Sequence, residues 1–122
     1  MLKTKLIQNL KIGQEFINPK SGVSVINSIS SEYIGYIRGN STIHFPLEFV
    51  DKIYSSYKGN KITTKEIRKK YPRVFDSKNG GHSCNATFLF MMYEYLDLTK
   101  NGIEGRGVSN HPYYVELLDK EL

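Results

Sequence analysis

Residues 63–98, TTKEIRKKYPRVFDSKNGGHSCNATFLFMMYEYLDL, decide how this chain is read. Thr63-Thr64-Lys65-Glu66 has capping-box spacing: the Thr63 hydroxyl can accept from the Glu66 N–H while the Glu66 carboxylate reaches back. The helix it opens turns Ile67 and Tyr71 inward and spreads Lys65, Arg68, Lys69 and Lys70 over the rest of its surface. Pro72 ends it, because the residue before a proline is biased away from helical angles. Arg73 to Gly81 reads as a loop carrying Asp76, Ser77, Asn79, Gly80 and Gly81. A second, apolar helix follows His82, with Ser83 or Asn85 as its candidate cap. Phe88, Leu89, Met92, Tyr95 and Leu96 form its broad inner stripe, and Asn101-Gly102 ends it.

Working outward, Pro46 suits the first turn of a preceding helix, where its missing N–H costs nothing. Leu47, Val50, Ile53, Tyr54 and Tyr57 recur along one face of that helix, and Gly59 is placed to stop it. Downstream, Ile103–Arg106 and Tyr113–Leu117 can pair as a hairpin across Gly107–Pro112. Before Pro46 the period changes. Short β-forming runs at Glu15–Ile17, Val23–Ile29, Tyr33–Arg38 and Thr42–Phe45 are separated by turns at Asn18–Gly22, Ser30–Glu32 and Gly39–Ser41. Leu2, Leu6, Ile7 and Leu10 have the spacing of a short leading helix. The expected class is α+β: an N-terminal antiparallel β-meander or small open barrel over residues 1–45, packed on a helical half over residues 46–122. Phe45 leads straight into Pro46, so one continuous unit is expected.

Charge is unevenly distributed. The net charge is +5, yet residues 51–80 carry nine Lys and Arg against three Asp and Glu, or +6 locally, whereas residues 81–122 carry three against six. A local positive face is what a phosphate backbone requires; the competing reading is a solvated Lys-rich helix. The single cysteine, Cys84, allows no internal disulfide, which points to a reducing cytoplasm. One Cys and three scattered His make no zinc-finger spacing, and no apolar run approaches bilayer or signal-peptide length. No metal or other cofactor and no membrane partner are expected.

In element order, residues 46–118 resemble the winged helix-turn-helix superfamily, and Thr63-Thr64-Lys65-Glu66-Ile67 looks like the common opening of the second helix in such domains. The resemblance implies a double-stranded DNA partner. The Thr63 helix would support, the helix after His82 would read bases from its N-terminal turn, and the hairpin would be the wing. Phosphates would be met by Lys61, Lys65, Arg68, Lys69, Lys70 and Arg73. Base or groove edges would be met by Ser83, Asn85, Thr87 and Arg106, with Asn85 able to bond adenine through both amide atoms.

The sequence also bears on three other functional classes. Cys84 at a helix start, with His82 two residues away, has the elements of a nucleophile and base, but no orienting acid accompanies them. Asp51, Asp76, Glu94 and Asp97 lack the strand spacing of a metal-dependent nuclease, so no enzymatic activity is expected. The alternative function is a small phage or mobile-element regulator that binds and inhibits a host defence protein, using the acidic C-terminal face of Glu104, Glu116, Asp119 and Glu121. A further alternative is an accessory recognition domain of a restriction-type nuclease.

Overall fold

The computed structural model describes residues 1–121; Leu122, the last residue of the expected second half, lies outside the described residues. The elements run α1 (Leu2–Asn9), β1 (Glu15–Ile17), β2 (Val23–Ile29), β3 (Tyr33–Arg38), β4 (Ser41–Pro46), α2 (Glu48–Tyr57), β5 (Lys61–Thr63), α3 (Thr64–Lys70), α4 (Pro72–Phe75), a 3-10 turn (Ser77–Asn79), α5 (Cys84–Tyr95) and β6 (Tyr114–Glu116). The class is α+β, as the sequence implies.

Strands β1 to β4 form an open antiparallel meander in chain order, with no closed barrel. The sheet is one-sided, so the chain alternates between core and solvent. Ile26, Ile34, Tyr36, Ile43 and Phe45 point into the core, while Ile17, Val23, Tyr33 and Ile37 remain exposed. A bulge at Asn27 shifts the β2–β3 register, so Ile26 pairs with Tyr36 and Ser28 with Gly35. α1 lies against α2, whose Asp51 carboxylate accepts the N–H groups of Leu2 and Lys3 at 2.8 and 3.0 Å. That carboxylate satisfies two otherwise unpaired helix-start donors.

The two halves share one core. The rings of Tyr36 and Phe88 stack with centroids 4.0 Å apart and planes within 3°, and Phe45 packs against both Phe88 and Phe75. The Tyr36 hydroxyl donates to Asn85 Oδ1 at 2.8 Å. Residues 85–93 of α5 are all buried, so the body of this helix has no solvent face and only its ends, at Cys84 and at Glu94 and Tyr95, reach the surface. Its C-terminus closes on Asp97 at φ +60, with Asp97 N–H to the Glu94 carbonyl and Leu98 N–H to the Tyr93 carbonyl at 3.0 and 2.9 Å. This paired closure ends the helix before Asn101-Gly102, where it was expected to stop.

Four other boundaries differ from the sequence reading. Pro46 pairs with Tyr33 as the last residue of edge strand β4, and α2 starts at Glu48. The stretch after Pro72 is not a bare loop but holds α4 and the 3-10 turn. Ser83 precedes α5 without a side-chain capping bond, and Asn85 lies inside the helix. Finally, the main partner of Tyr114–Glu116 is Lys61–Thr63, through the register Lys61–Glu116, Ile62–Val115 and Thr63–Tyr114. The expected strand at Ile103–Arg106 reduces to a single bridge from Glu104 to Tyr114. Gly105 accounts for this. It sits at φ +93, and a Cβ there would collide with the Pro112 carbonyl, so the backbone passes too close for a regular ladder.

Because aromatic side chains from both halves meet at Phe88, the chain unfolds as one unit. Urea denaturation followed by far-UV circular dichroism and by tyrosine fluorescence gives coincident transitions, and Phe88→Ala lowers stability by about 3–5 kcal/mol. Separate transitions for the sheet and the helices would contradict this.

Candidate nucleic-acid interface

The candidate site is assembled from α3, the start of α5, the end of β3 and the loop before β6. The capping box opens α3 as expected: Glu66 N–H donates to Thr63 Oγ1 at 3.0 Å, and Thr63 N–H donates to Glu66 Oε1 at 3.2 Å. Ile67 turns inward, which leaves Lys65 and Lys69 exposed and Arg68 half-buried. The Thr64 N–H donates to the Tyr113 carbonyl at 2.9 Å and ties the root of α3 to the loop before β6, the expected wing.

The lead into α5 is a built turn. Asp76 accepts from the Lys78 backbone at 2.9 Å and from the Asn79 side chain at 2.9 Å. Those two bonds, the backbone one first, hold its carboxyl below the ordinary aspartate value. Gly81 crosses the Val74 carbonyl group so closely that a Cβ would lie 2.6 Å from the carbonyl carbon. The Ser83 and Ser77 hydroxyls meet at 3.0 Å.

These elements enclose a cleft of about 480 Å³. Lys65 and Arg68 line one wall, Ser83, Cys84 and Thr87 the floor, and Gly107–Ser109 with Pro112 and Tyr113 the wing side. Arg38 at the end of β3 supplies a third cation. Its Nη1 donates to Thr87 Oγ1 at 3.0 Å, and that hydroxyl donates to the Cys84 carbonyl at 3.1 Å. Among the described residues, no carboxylate lines the cleft. Three cations gathered in a concave, partly walled site focus positive potential there.

The expected site residues separate into groups. Lys65, Arg68, Ser83 and Thr87 share the cleft, and exposed Arg106 directly precedes its wing edge. Lys69 is exposed on α3. Lys61 lies on β5 with its ammonium 4.3 Å from the Tyr114 ring centroid. Lys70 sits over the rings of Tyr57 and Tyr71, and with Arg73 it lines a separate recess beside Phe49.

Asn85 is the clear correction. It is 2% exposed, and its amide accepts from Tyr36 and donates to the Val74 carbonyl at 3.1 Å, so it contacts no base. Burial, with Cys84 nearby as a smaller cause, pushes the Tyr36 phenol well above its ordinary value, so it remains a donor. The same burial changes the reading helix: α5 reaches the surface at its start only through Ser83, Cys84 and Thr87 in the cleft, while Asn85–Tyr93 are buried, so it offers no exposed face to lay in a groove. The reason is periodicity, since Asn85 stands three and four residues before Phe88 and Leu89 on the inner stripe. Arg38 was overlooked, although a signal existed. Ile34, Tyr36 and Arg38 fall on one face of β3 by strict alternation, and that face meets α5.

His82 is exposed and Cys84 half-buried. No cluster of three His, Cys, Asp or Glu able to hold a metal occurs among the described residues. No helix among them is long and apolar enough to cross a membrane. On the acidic face, Glu104 and Glu116 are half-buried, Asp119 and Glu121 are exposed, and Glu104 Oε2 is buried without a partner. The chain matches no protein-family model, no curated protein and no solved structure.

Two outcomes follow from this geometry. Asn85→Ala leaves the Tyr36 hydroxyl and the Val74 carbonyl unpaired in the core and lowers stability by about 1–3 kcal/mol in urea unfolding. Asp76 titrates below the ordinary aspartate value of about 3.9. Its depressed pKa stabilises the turn above that value, and the contribution is lost as pH falls through the folded pKa. The protection of the Lys78 amide, taken relative to its intrinsic exchange rate at each pH, therefore falls on acidification in the native protein but is already low in Asp76→Ala.

Proposed function

We propose that the protein binds double-stranded DNA without catalysing a reaction, and that α3 and the wing meet the phosphate backbone on either side of the cleft. The observation that carries this reading is the gathering of Arg38, Lys65 and Arg68 in a cleft that no carboxylate lines among the described residues, bordered by an exposed wing tip. Phosphate contacts need cations that are fixed but unpaired, and the local charge of this region supplies them. The winged-helix reading draws support from the β5–β6 pairing and the Glu104–Tyr114 bridge, which frame α3 and α5 between α2 and β6. The mode of binding differs from the sequence expectation. With α5 enclosed, contact is made by Lys65, Arg68, Lys69 and Arg106, and sequence preference comes from groove shape rather than from Asn85. The lone thiol fits a protein working in a reducing cytoplasm.

A second reading, a regulator that grips another protein, is favoured by the apolar outer row of the sheet, where Ile17, Val23 and Ile37 are exposed. Fluorescence anisotropy with a labelled duplex separates the two. If each of the four cations meets one phosphate, log K falls against log salt with a slope of about −3.6, and affinity drops about 10²-fold between about 50 and 200 mM salt. The triple variant Lys65→Glu/Arg68→Glu/Lys69→Glu loses duplex binding while keeping the far-UV spectrum. Salt-independent binding, or an unaffected triple variant, would overturn the proposal.

A further inference from the structure

We propose that the cleft is a single-nucleotide site, in which one phosphate lies against Arg38, Lys65 and Arg68 and the attached base lies against Tyr113 and the wing. The choice of ligand rests on the nucleic-acid reading above; the geometry of the site does not. A lone phosphate on a helix surface needs no cavity. This cleft, at about 480 Å³, has the size of a small-molecule pocket.

Its walls differ in chemistry. One carries three cations, two of them guanidinium groups, whose planar forks match phosphate oxygens. Arg38 is already oriented by Thr87, and that bond uses one of its five N–H donors. The loop before β6 adds an apolar and aromatic lining: Val108, Pro112 and Tyr113. The Tyr113 ring is held in place. A Cβ on Gly107 would lie 2.8 Å from its hydroxyl oxygen, and its carbonyl receives the Thr64 N–H. A fixed aromatic ring is a sequence-tolerant surface for a base. The Thr64 and Ser109 hydroxyls also line the cleft and suit a sugar.

Such a cleft excludes a base pair stacked inside a duplex, because the base is out of reach until it leaves the stack. It accepts an unpaired or terminal nucleotide of a strand, or a free mononucleotide, and the chemistry of recognition is the same for both sources. The N-terminal sheet thereby acquires a role in binding, because it contributes the cation that closes the phosphate end.

The test uses the full chain and isothermal titration with five probes: deoxyadenosine 5′-monophosphate, deoxyadenosine, inorganic phosphate, a blunt duplex, and the same duplex with one unpaired 5′-phosphorylated nucleotide. The mononucleotide binds at least about tenfold more tightly than deoxyadenosine or phosphate, and the overhang tightens duplex binding by a similar factor. Arg38→Met and Tyr113→Leu each remove that advantage; Arg38→Met is the control should Tyr113→Leu disturb the wing. Blunt and overhang duplexes bound equally, with no mononucleotide binding, would overturn the inference and leave the DNA reading intact. Mononucleotide bound without any duplex would sustain the inference and end the DNA reading, and no binding by any probe would end both. Phosphate bound as tightly as the mononucleotide, or unchanged affinity in both variants, would also overturn the single-nucleotide site.

Discussion

The stacking of Tyr36 on Phe88, locked by the hydrogen bond from the Tyr36 hydroxyl to Asn85, is the contact on which the rest of the molecule depends. It fixes the meander to α5 at one point and one rotation. A buried Tyr and a buried Asn would each be costly alone; paired, and with the Asn amide also bonded to the Val74 carbonyl, they are satisfied. Once the sheet covers α5 from one side and α3 and α4 from the other, the body of the longest described helix, Asn85–Tyr93, is buried all round. The most apolar helix is therefore the scaffold, and contact with a partner falls to its neighbours.

That arrangement also creates the cleft. With Tyr36 facing α5, alternation along β3 brings Arg38 to the first turns of the same helix, where it finds Thr87. The capping box sets the direction of α3, and the Thr64–Tyr113 bond draws the wing root to the same place. Cations from β3 and α3 thus face one opening without a carboxylate among them. Arg38 and Arg68 are half-buried and Lys65 is exposed; like charges so gathered repel one another, and an anion bound among them would relieve that repulsion.

Local signals in the sequence carried much of this. β1, the Thr63–Glu66 box, the Gly59 stop and the inner stripe through Phe88, Leu89 and Met92 depend on residues a few positions apart, and they were legible. β5 was not. It is three residues long, its last residue doubles as the cap of α3, and its partner lies more than fifty positions downstream. The expected hairpin suffered for the same reason, since β6 makes its ladder with β5 and meets Ile103–Arg106 only at the Glu104–Tyr114 bridge. At the site, Lys65, Arg68, Ser83 and Thr87 were found by charge and helix position, and they do converge. Asn85 is polar, yet its place on the inner stripe, not its polarity, decides that it is buried. Arg38 was missed because its role depends on a contact forty-nine residues away.

Chemical-shift mapping tests the central claim, that the cationic cleft and wing form the nucleic-acid face, most directly. In an amide NMR titration of the protein with a short DNA duplex, the account predicts shifts concentrated at Lys65, Arg68, Lys69 and Arg106–Ser109, with the outer sheet row of Ile17, Val23 and Ile37 unmoved. Shifts confined to that outer row, or none at a saturating duplex concentration, would contradict it.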